Sequence, residues 1–299
     1  MTDRAFPPVE GVRHTFVTVP NGLRTHVAEA GPVNAPPVLL VHGWPQHWWE
    51  WRGLMPALAR NYRVIAPDLR GFGWTDAPAT GYDRVHFVGD LVGLLDGLGV
   101  DRVRMVAHDM GAVVGFHLCL DQPERVSDYV SLSIPHLVYR PTPAAMVEGW
   151  RMWYQVPTTL PGLGPRLLSG GQQRLLRHVF TSFAGEADTS DEVDLEEYLA
   201  PMRESARARA ARACYLHYIW PSLGAMVRGA YRGTRLTTPT LLLIGSEDRA
   251  VRAEHQGGHE DWADDLVVDT VDGASHWLPE EQPGLLAEKV LHRFAVSRR

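Results

Sequence analysis

Asp109 sits in the stretch VRMVAHDMGAVVGFHL, residues 103–118, at the corner where a short apolar run gives way to a helical apolar period. A strand that stops and reverses sharply into a helix holds the corner residue in a strained backbone with its side chain presented outward. Ala107 and Gly111, two residues to either side, are small enough to permit that turn. A carboxylate there is already ionised near neutral pH. It is a weak nucleophile toward acyl carbon, and it suits displacement at a saturated carbon bearing a strained or good leaving group. The result is an alkyl ester on the protein, which a histidine-activated water can cut at the carbonyl of Asp109. Two downstream segments offer the histidine and an acid to orient it: GASHWLPEEQP (273–283) contains His276, and GSED (245–248) contains Asp248, with Glu247 as its rival. Taken singly, Asp248 could cap a turn and His276 is one of 14 histidines. Their joint placement, one after an apolar run and the other before the last helical pattern, is far more specific.

Such residues need a rigid frame. HTFVTVP (14–20) and RTHVAEAG (24–31) read as an antiparallel pair turned at Asn21-Gly22, a strong hairpin dipeptide. The runs at 36–43, 62–68, 101–108, 125–135 and 238–245 are continuously apolar, as parallel strands buried on both faces are. Helical patterns lie between them, one over 83–97, and together they predict a doubly wound α/β sheet. Between 136 and 235 the rhythm stops in a Trp-, Tyr- and Arg-rich, mainly helical stretch that contains Pro143, Pro157, Pro161 and Gly162. This stretch reads as a helical insert. The glycine-rich GFGWTD (71–76) departs from a nucleotide-binding fingerprint and reads as a loop.

From the hairpin to the last helix, the chain resembles the α/β-hydrolase family. The small-x-Asp-x-small corner resembles its nucleophile elbow, and Asp248 and His276 fall where the family places acid and histidine, in that chain order. The resemblance implies an α/β-hydrolase fold: a mostly parallel central sheet flanked by helices, with a helical cap inserted after the sixth strand. The core domain would comprise 1–135 and 236–299, and the cap 136–235. VHGWP (41–45) is similar to the loop that supplies one oxyanion-hole amide, which implies that the backbone N–H groups of Trp44 and Met110 form the hole, with His42 structural.

Within the family an aspartate nucleophile fits dehalogenases and epoxide hydrolases. Haloalkane dehalogenases hold the halide with a Trp just after the nucleophile and an Asn in HGNP or a cap Trp, whereas this chain has Met110 and Trp44 at those positions. Fluoroacetate dehalogenases are similar to HDRGAR, and no arginine stands on this stretch, where Met110 and Val113 lie. Epoxide hydrolases supply two cap tyrosines to the departing oxygen. RMWYQVPTTLPGLG (151–164) resembles the first, with Tyr154, Gln155 and Pro161; ARACYLHYIWPSL (211–223) resembles the second, with Tyr215 favoured and Tyr218 its rival. The resemblance implies an epoxide hydrolase that takes an apolar or aromatic epoxide to a vicinal diol through an ester on Asp109, with Trp44, Trp153, Gln155 and Trp277 at the substrate. Two alternatives stay open: a dehalogenase using the same aspartate, and a non-catalytic ligand-binding homologue.

The resemblance implies a small-molecule substrate and water as partners, and composition argues against others. The chain has 299 residues, 45% of them hydrophobic and 21% charged, with a net charge of −6. Mild acidity argues against nucleic acid, which needs concentrated Lys and Arg. The one basic run, RESARARAARA (203–213), reads as a solvated helix face. Cys119 and Cys214 lie in apolar-periodic segments, so a disulfide framework is not expected. With neither a signal-like N-terminus nor an apolar run of about 18 residues, the expectation is a cytoplasmic monomer or homodimer with no membrane span. No metal or cofactor is expected either: His255 and His259 in HQGGH are split by two glycines that undermine an aligning helix.

Overall fold

The computed structural model describes residues 4–140, 149–185 and 192–296; Pro143 lies outside them. Eight strands form one sheet: β1 (Arg13–Thr18), β2 (Arg24–Ala30), β3 (Pro37–Val41), β4 (Arg63–Pro67), β5 (Val103–His108), β6 (Val126–Leu132), β7 (Thr240–Gly245) and β8 (Leu266–Val271). Their order is β1-β2-β4-β3-β5-β6-β7-β8. The hairpin β1–β2 and the β2–β4 pairing are antiparallel, and all other pairings are parallel. Strands β3 to β7 are the five continuous apolar runs, and the middle ones are buried almost throughout. β8 is a strand the sequence reading did not include. Its residues alternate between half-buried and exposed, as an edge strand's do, which is a weaker signal than a fully apolar run.

Helices α1 (Met55–Leu58), α2 (Arg84–Gly97) and α3 (Asp109–Asp121) lie between the early strands. Asp83 caps α2 by accepting the N–H of His86 at 3.1 Å. Between β6 and β7 the described residues contain no strand but six helices: α4 (Gln155–Thr159), α5 (Leu163–Ser169), α6 (Arg174–Ser182), α7 (Glu192–Met202), α8 (Ser205–Cys214) and α9 (Trp220–Val227), with a π-turn at Tyr215–Ile219. Helices α10 (Leu278–Glu281) and α11 (Pro283–Val296) follow β8.

The basic run corresponds largely to α8, and only part of it is the solvated face its charges suggest: Arg203 and Arg209 are exposed, and the opposite side is not. Ala208, Ala210 and Ala211 are buried. Arg207 is buried too, and its Nη1 donates to the carbonyls of Phe72 and Thr75 at 3.1 and 2.8 Å. The small alanines let the helix sit close to the 71–76 loop, and the guanidinium braces the loop by adding a second donor to the Phe72 carbonyl, which also accepts the Thr75 N–H at 3.1 Å, and one to the Thr75 carbonyl. Cys119 and Cys214 are both buried and free.

Candidate active site

Asp109 opens α3 directly after β5, with φ of 45°, in the left-handed region that non-glycine residues adopt only when their surroundings enforce it. Two glycines make the room. A Cβ on Gly111 would lie 2.3 Å from the His42 carbonyl oxygen, and one on Gly43 would lie 2.7 Å from the Asp109 Cβ. Gly111 is the residue expected at the corner. Gly43 is a second requirement, visible in the sequence only as part of HGWP.

One oxygen of Asp109, Oδ2, accepts the backbone N–H of Trp44 at 3.1 Å and of Met110 at 2.5 Å. The other, Oδ1, lies 3.4 Å from Nε2 of His276, whose Nδ1 is 3.2 Å from Oδ2 of Asp248. Asp248 is buried, and its Oδ1 accepts the N–H groups of Ala250 and Val251 at 2.7 and 3.0 Å. Asp248, rather than Glu247, therefore makes the contact with the histidine. His42 is held inside: its Nε2 accepts the N–H of Leu69 at 2.8 Å, so its Nδ1 carries the hydrogen that it donates to the Gly43 carbonyl at 2.9 Å.

A second layer lies behind the elbow, and sequence reading missed it. Nε2 of His108 donates to the backbone carbonyl of His276 at 2.9 Å, and its Nδ1 lies 3.4 Å from Oε2 of the fully buried Glu50. The same Glu50 oxygen accepts the N–H of Gly43 at 3.3 Å. The signal available was a lone carboxylate in the aromatic run WWEW.

The carboxylates and the imidazole set one another's charge. Burial by itself would raise the Asp109 carboxyl, but the hydrogen bond and positive charge of His276 hold it below its ordinary value. Burial likewise works against a charged His276, yet Asp248 and Asp109 outweigh it and raise the imidazole to about 10. At rest the site is thus an imidazolium between two carboxylates. A histidine raised in the folded state stabilises the fold fully below its unfolded pKa, and this stabilisation is lost as pH rises through the folded value. Thermal melts should accordingly show the Tm falling between about pH 6.5 and about 10, with a smaller fall in Asp109→Asn. An identical fall in both proteins would refute the coupling.

Trp44, Asp109, Tyr154, Gln155, Tyr215, His276 and Trp277 line one mainly apolar cavity of about 260 Å³. The Trp44 ring stacks on Tyr154 with centroids 6.1 Å apart and meets Tyr215 edge-on at 4.9 Å. Burial, and then in part the charge on Asp109, pushes both phenols above their ordinary value. Gln155 accepts from the indole N–H of Trp220 at 3.1 Å, and the Trp277 indole donates to the Phe180 carbonyl at 2.8 Å. Two expected residues lie elsewhere. Tyr218 turns inward, its hydroxyl 2.9 Å from Nδ1 of His117 and outside the cavity lining. Trp153 is half exposed and packs on His178, because its short turn presents Met152 to the cavity instead. Phe183, Met226 and residues of the segment from Arg249 to Gln256 also line it, and none of them carried a recognisable motif. Among the described residues, no group of three His, Cys, Asp or Glu could hold a metal ion, and no helix is long and apolar enough to cross a membrane.

The sequence model of the α/β hydrolase fold matches residues 36–283. The chain belongs to the α/β-hydrolase fold family. Epoxide hydrolase A of Mycobacterium tuberculosis is 30% identical over 309 aligned residues, covering 91% of this chain and 94% of that protein, which groups the chain with the epoxide hydrolases of the family. Epoxide hydrolase 2 of Siraitia grosvenorii is 46% identical over 146 residues, 48% of this chain, and the match spans less than half of that relative's length, 45%. Among solved structures, wild-type Cfl2 of Burkholderia cenocepacia superposes with a TM-score of 0.84 at 28% identity, over 97% of this chain and 98% of the other.

Proposed function

We propose that this α/β hydrolase converts an apolar or aromatic epoxide to a vicinal diol through a covalent ester on Asp109, under a cap formed by residues 136–235. The observation that carries this reading is the pair of buried phenols, Tyr154 and Tyr215, lining the same cavity as the elbow carboxylate. A strained ring opened at carbon releases an alkoxide, and a phenol held protonated by its surroundings is a fitting acid for it.

The proton count closes around the cycle. Oδ2 is held by two amides, so Oδ1 attacks the ring carbon and Oδ2 becomes the ester carbonyl oxygen in the oxyanion hole. The C–O bond breaks, a tyrosine gives its proton to the ring oxygen, and the imidazolium of His276 restores that proton to the phenol. Esterification removes one of the two negative charges that keep His276 protonated, so the histidine is neutral when a base is needed. It then takes a proton from water as the water oxygen adds to the Asp109 carbonyl. Collapse of the adduct releases the diol and returns the carboxylate and imidazolium.

A panel of apolar and aromatic epoxides, assayed for diol, tests the reading, and no diol from any of them would refute it. Tyr154→Phe and Tyr215→Phe should each slow ester formation by about a hundredfold and leave ester hydrolysis near its original rate in single-turnover experiments. Loss confined to the hydrolytic step would contradict the assigned role. One observation favours a second reading, dehalogenation: the Trp44 indole N–H is buried without a partner, and such a donor suits a halide. Halide release from haloalkanes or haloacetates without diol formation would establish it, and saturable binding with neither product would favour a ligand-binding role.

A further inference from the structure

His117 is buried in α3, about two turns beyond Asp109. Both of its ring nitrogens meet tyrosine hydroxyls: Nδ1 lies 2.9 Å from that of Tyr218, and Nε2 lies 2.8 Å from that of Tyr231. Burial lowers the imidazole to about 3, so the ring is neutral near pH 7, with one nitrogen donating and the other accepting. Either tautomer therefore satisfies both contacts. The two partners come from opposite ends of one segment, since Tyr218 belongs to the π-turn before α9 and Tyr231 follows α9. Both phenols are buried, and neither lines the cavity around Asp109. A buried imidazole with no place in the chemistry thus ties residues 215–231 to the helix that begins with the nucleophile.

The π-turn is the part of that segment most in need of support. Its Trp220 N–H returns to the Tyr215 carbonyl, the wider spacing that marks a π-turn. Pro221, the next residue, has no N–H with which to restore the regular α-helical bond. The wider turn separates the two tyrosines. Tyr215 meets Trp44 and Tyr154 at the cavity, whereas Tyr218 turns to His117 and packs on Phe87 of α2 with ring centroids 4.9 Å apart. At regular helical spacing the two would share a face, and holding one on His117 would draw the other away from the cavity.

Resting on the reading of Tyr215 as an acid for the ring oxygen, we infer that His117, through Tyr218, is a positioning residue for ester formation: their hydrogen bond holds the π-turn in the register that aims Tyr215 into the cavity. One rigid helix, α3, then carries the nucleophile at its start and the support of the acid two turns later, and so sets the distance between them. Misplacing a reacting group by about 1 Å can cost about a hundredfold, and a turn that loosens but stays packed should cost less.

The test is a cycle of Tyr215→Phe, Tyr218→Phe and the double variant, in which ester formation and ester hydrolysis are timed separately in single turnovers of an epoxide that the wild-type protein hydrates. Tyr218→Phe should slow ester formation by about tenfold while Tyr215 is present, and by less than about twofold in Tyr215→Phe, where no hydroxyl remains to be aimed. Ester hydrolysis should stay near its wild-type rate throughout. A merely structural role would slow both steps, or slow ester formation equally in both backgrounds. His117→Asn, which puts an amide near the Nδ1 position, should keep most of the ester-forming rate, and His117→Leu should lose as much as Tyr218→Phe; this pair decides the matter if Tyr218→Phe does not fold. An unchanged rate of ester formation in Tyr218→Phe, equal losses in both backgrounds, or equal rates in His117→Asn and His117→Leu overturn the inference alone. Ester formation at the wild-type rate in Tyr215→Phe overturns the role of Tyr215 itself, and this inference with it.

Discussion

Asp109→Ala should lower epoxide turnover by about ten-thousandfold or more, since covalent catalysis ends when the nucleophile goes and only binding and the oxyanion amides remain. The wild-type protein should show why. In a single turnover in ¹⁸O-labelled water, label should enter the Asp109 carboxylate and not the diol, because the water oxygen adds to the ester carbonyl while the diol leaves with the oxygen that attacked the ring. The site geometry supports this order of events: Oδ2 is held by the Trp44 and Met110 amides, and Oδ1 is left toward His276. First-turnover label in the diol would mean direct attack of water on the ring. Full activity in Asp109→Ala would dispose of the mechanism altogether.

His276→Gln should separate the two half-reactions. Ester formation needs Asp109 and an acid for the ring oxygen, and solvent can replace the imidazolium as the ultimate proton source. Hydrolysis needs a base beside the ester, and with none the multiple-turnover rate should fall by about a thousandfold. One equivalent of substrate should then be consumed per protein, and the peptide carrying Asp109 should gain the mass of the intact epoxide. A variant that turns over slowly yet never accumulates ester would place His276 in the first step instead. The imidazole's raised pKa makes this separation informative, because the charge that keeps it protonated at rest disappears only when the ester forms.

Much of this was legible in the sequence because it is encoded locally. The Asn21-Gly22 turn, the apolar runs of β3 to β7 and the small-x-Asp-x-small corner each depend on neighbours within one or two elements, and a chain records such constraints as spacing. Asp109 at its strained φ is the clearest case, since the residues that make the corner possible lie beside it in the chain or in the one neighbouring strand-end motif, HGWP. The strand order β3-β5-β6-β7 also brings the ends of β5 and β7 close together, so Asp248 follows β7 near the elbow. It was readable only through a family resemblance, as was His276.

Only the tertiary structure shows which of Tyr215 and Tyr218 lines the cavity. Three residues apart on a regular helix they would share a face, but the π-turn from Tyr215 to Ile219 has more residues per turn. One ring therefore enters the cavity and the other points toward His117. Trp153 and Met152 were beyond sequence for a similar reason: a short turn has no period from which to read its inner face. The basic run of α8 looked solvated because charge predicts exposure on average, whereas Arg207 is buried against carbonyls more than a hundred residues away in the chain. The Glu50–His108 layer completes the set. Periodicity tells which residues of one element face together, but which elements then face each other is fixed by packing across the whole sheet, and no local pattern stores that.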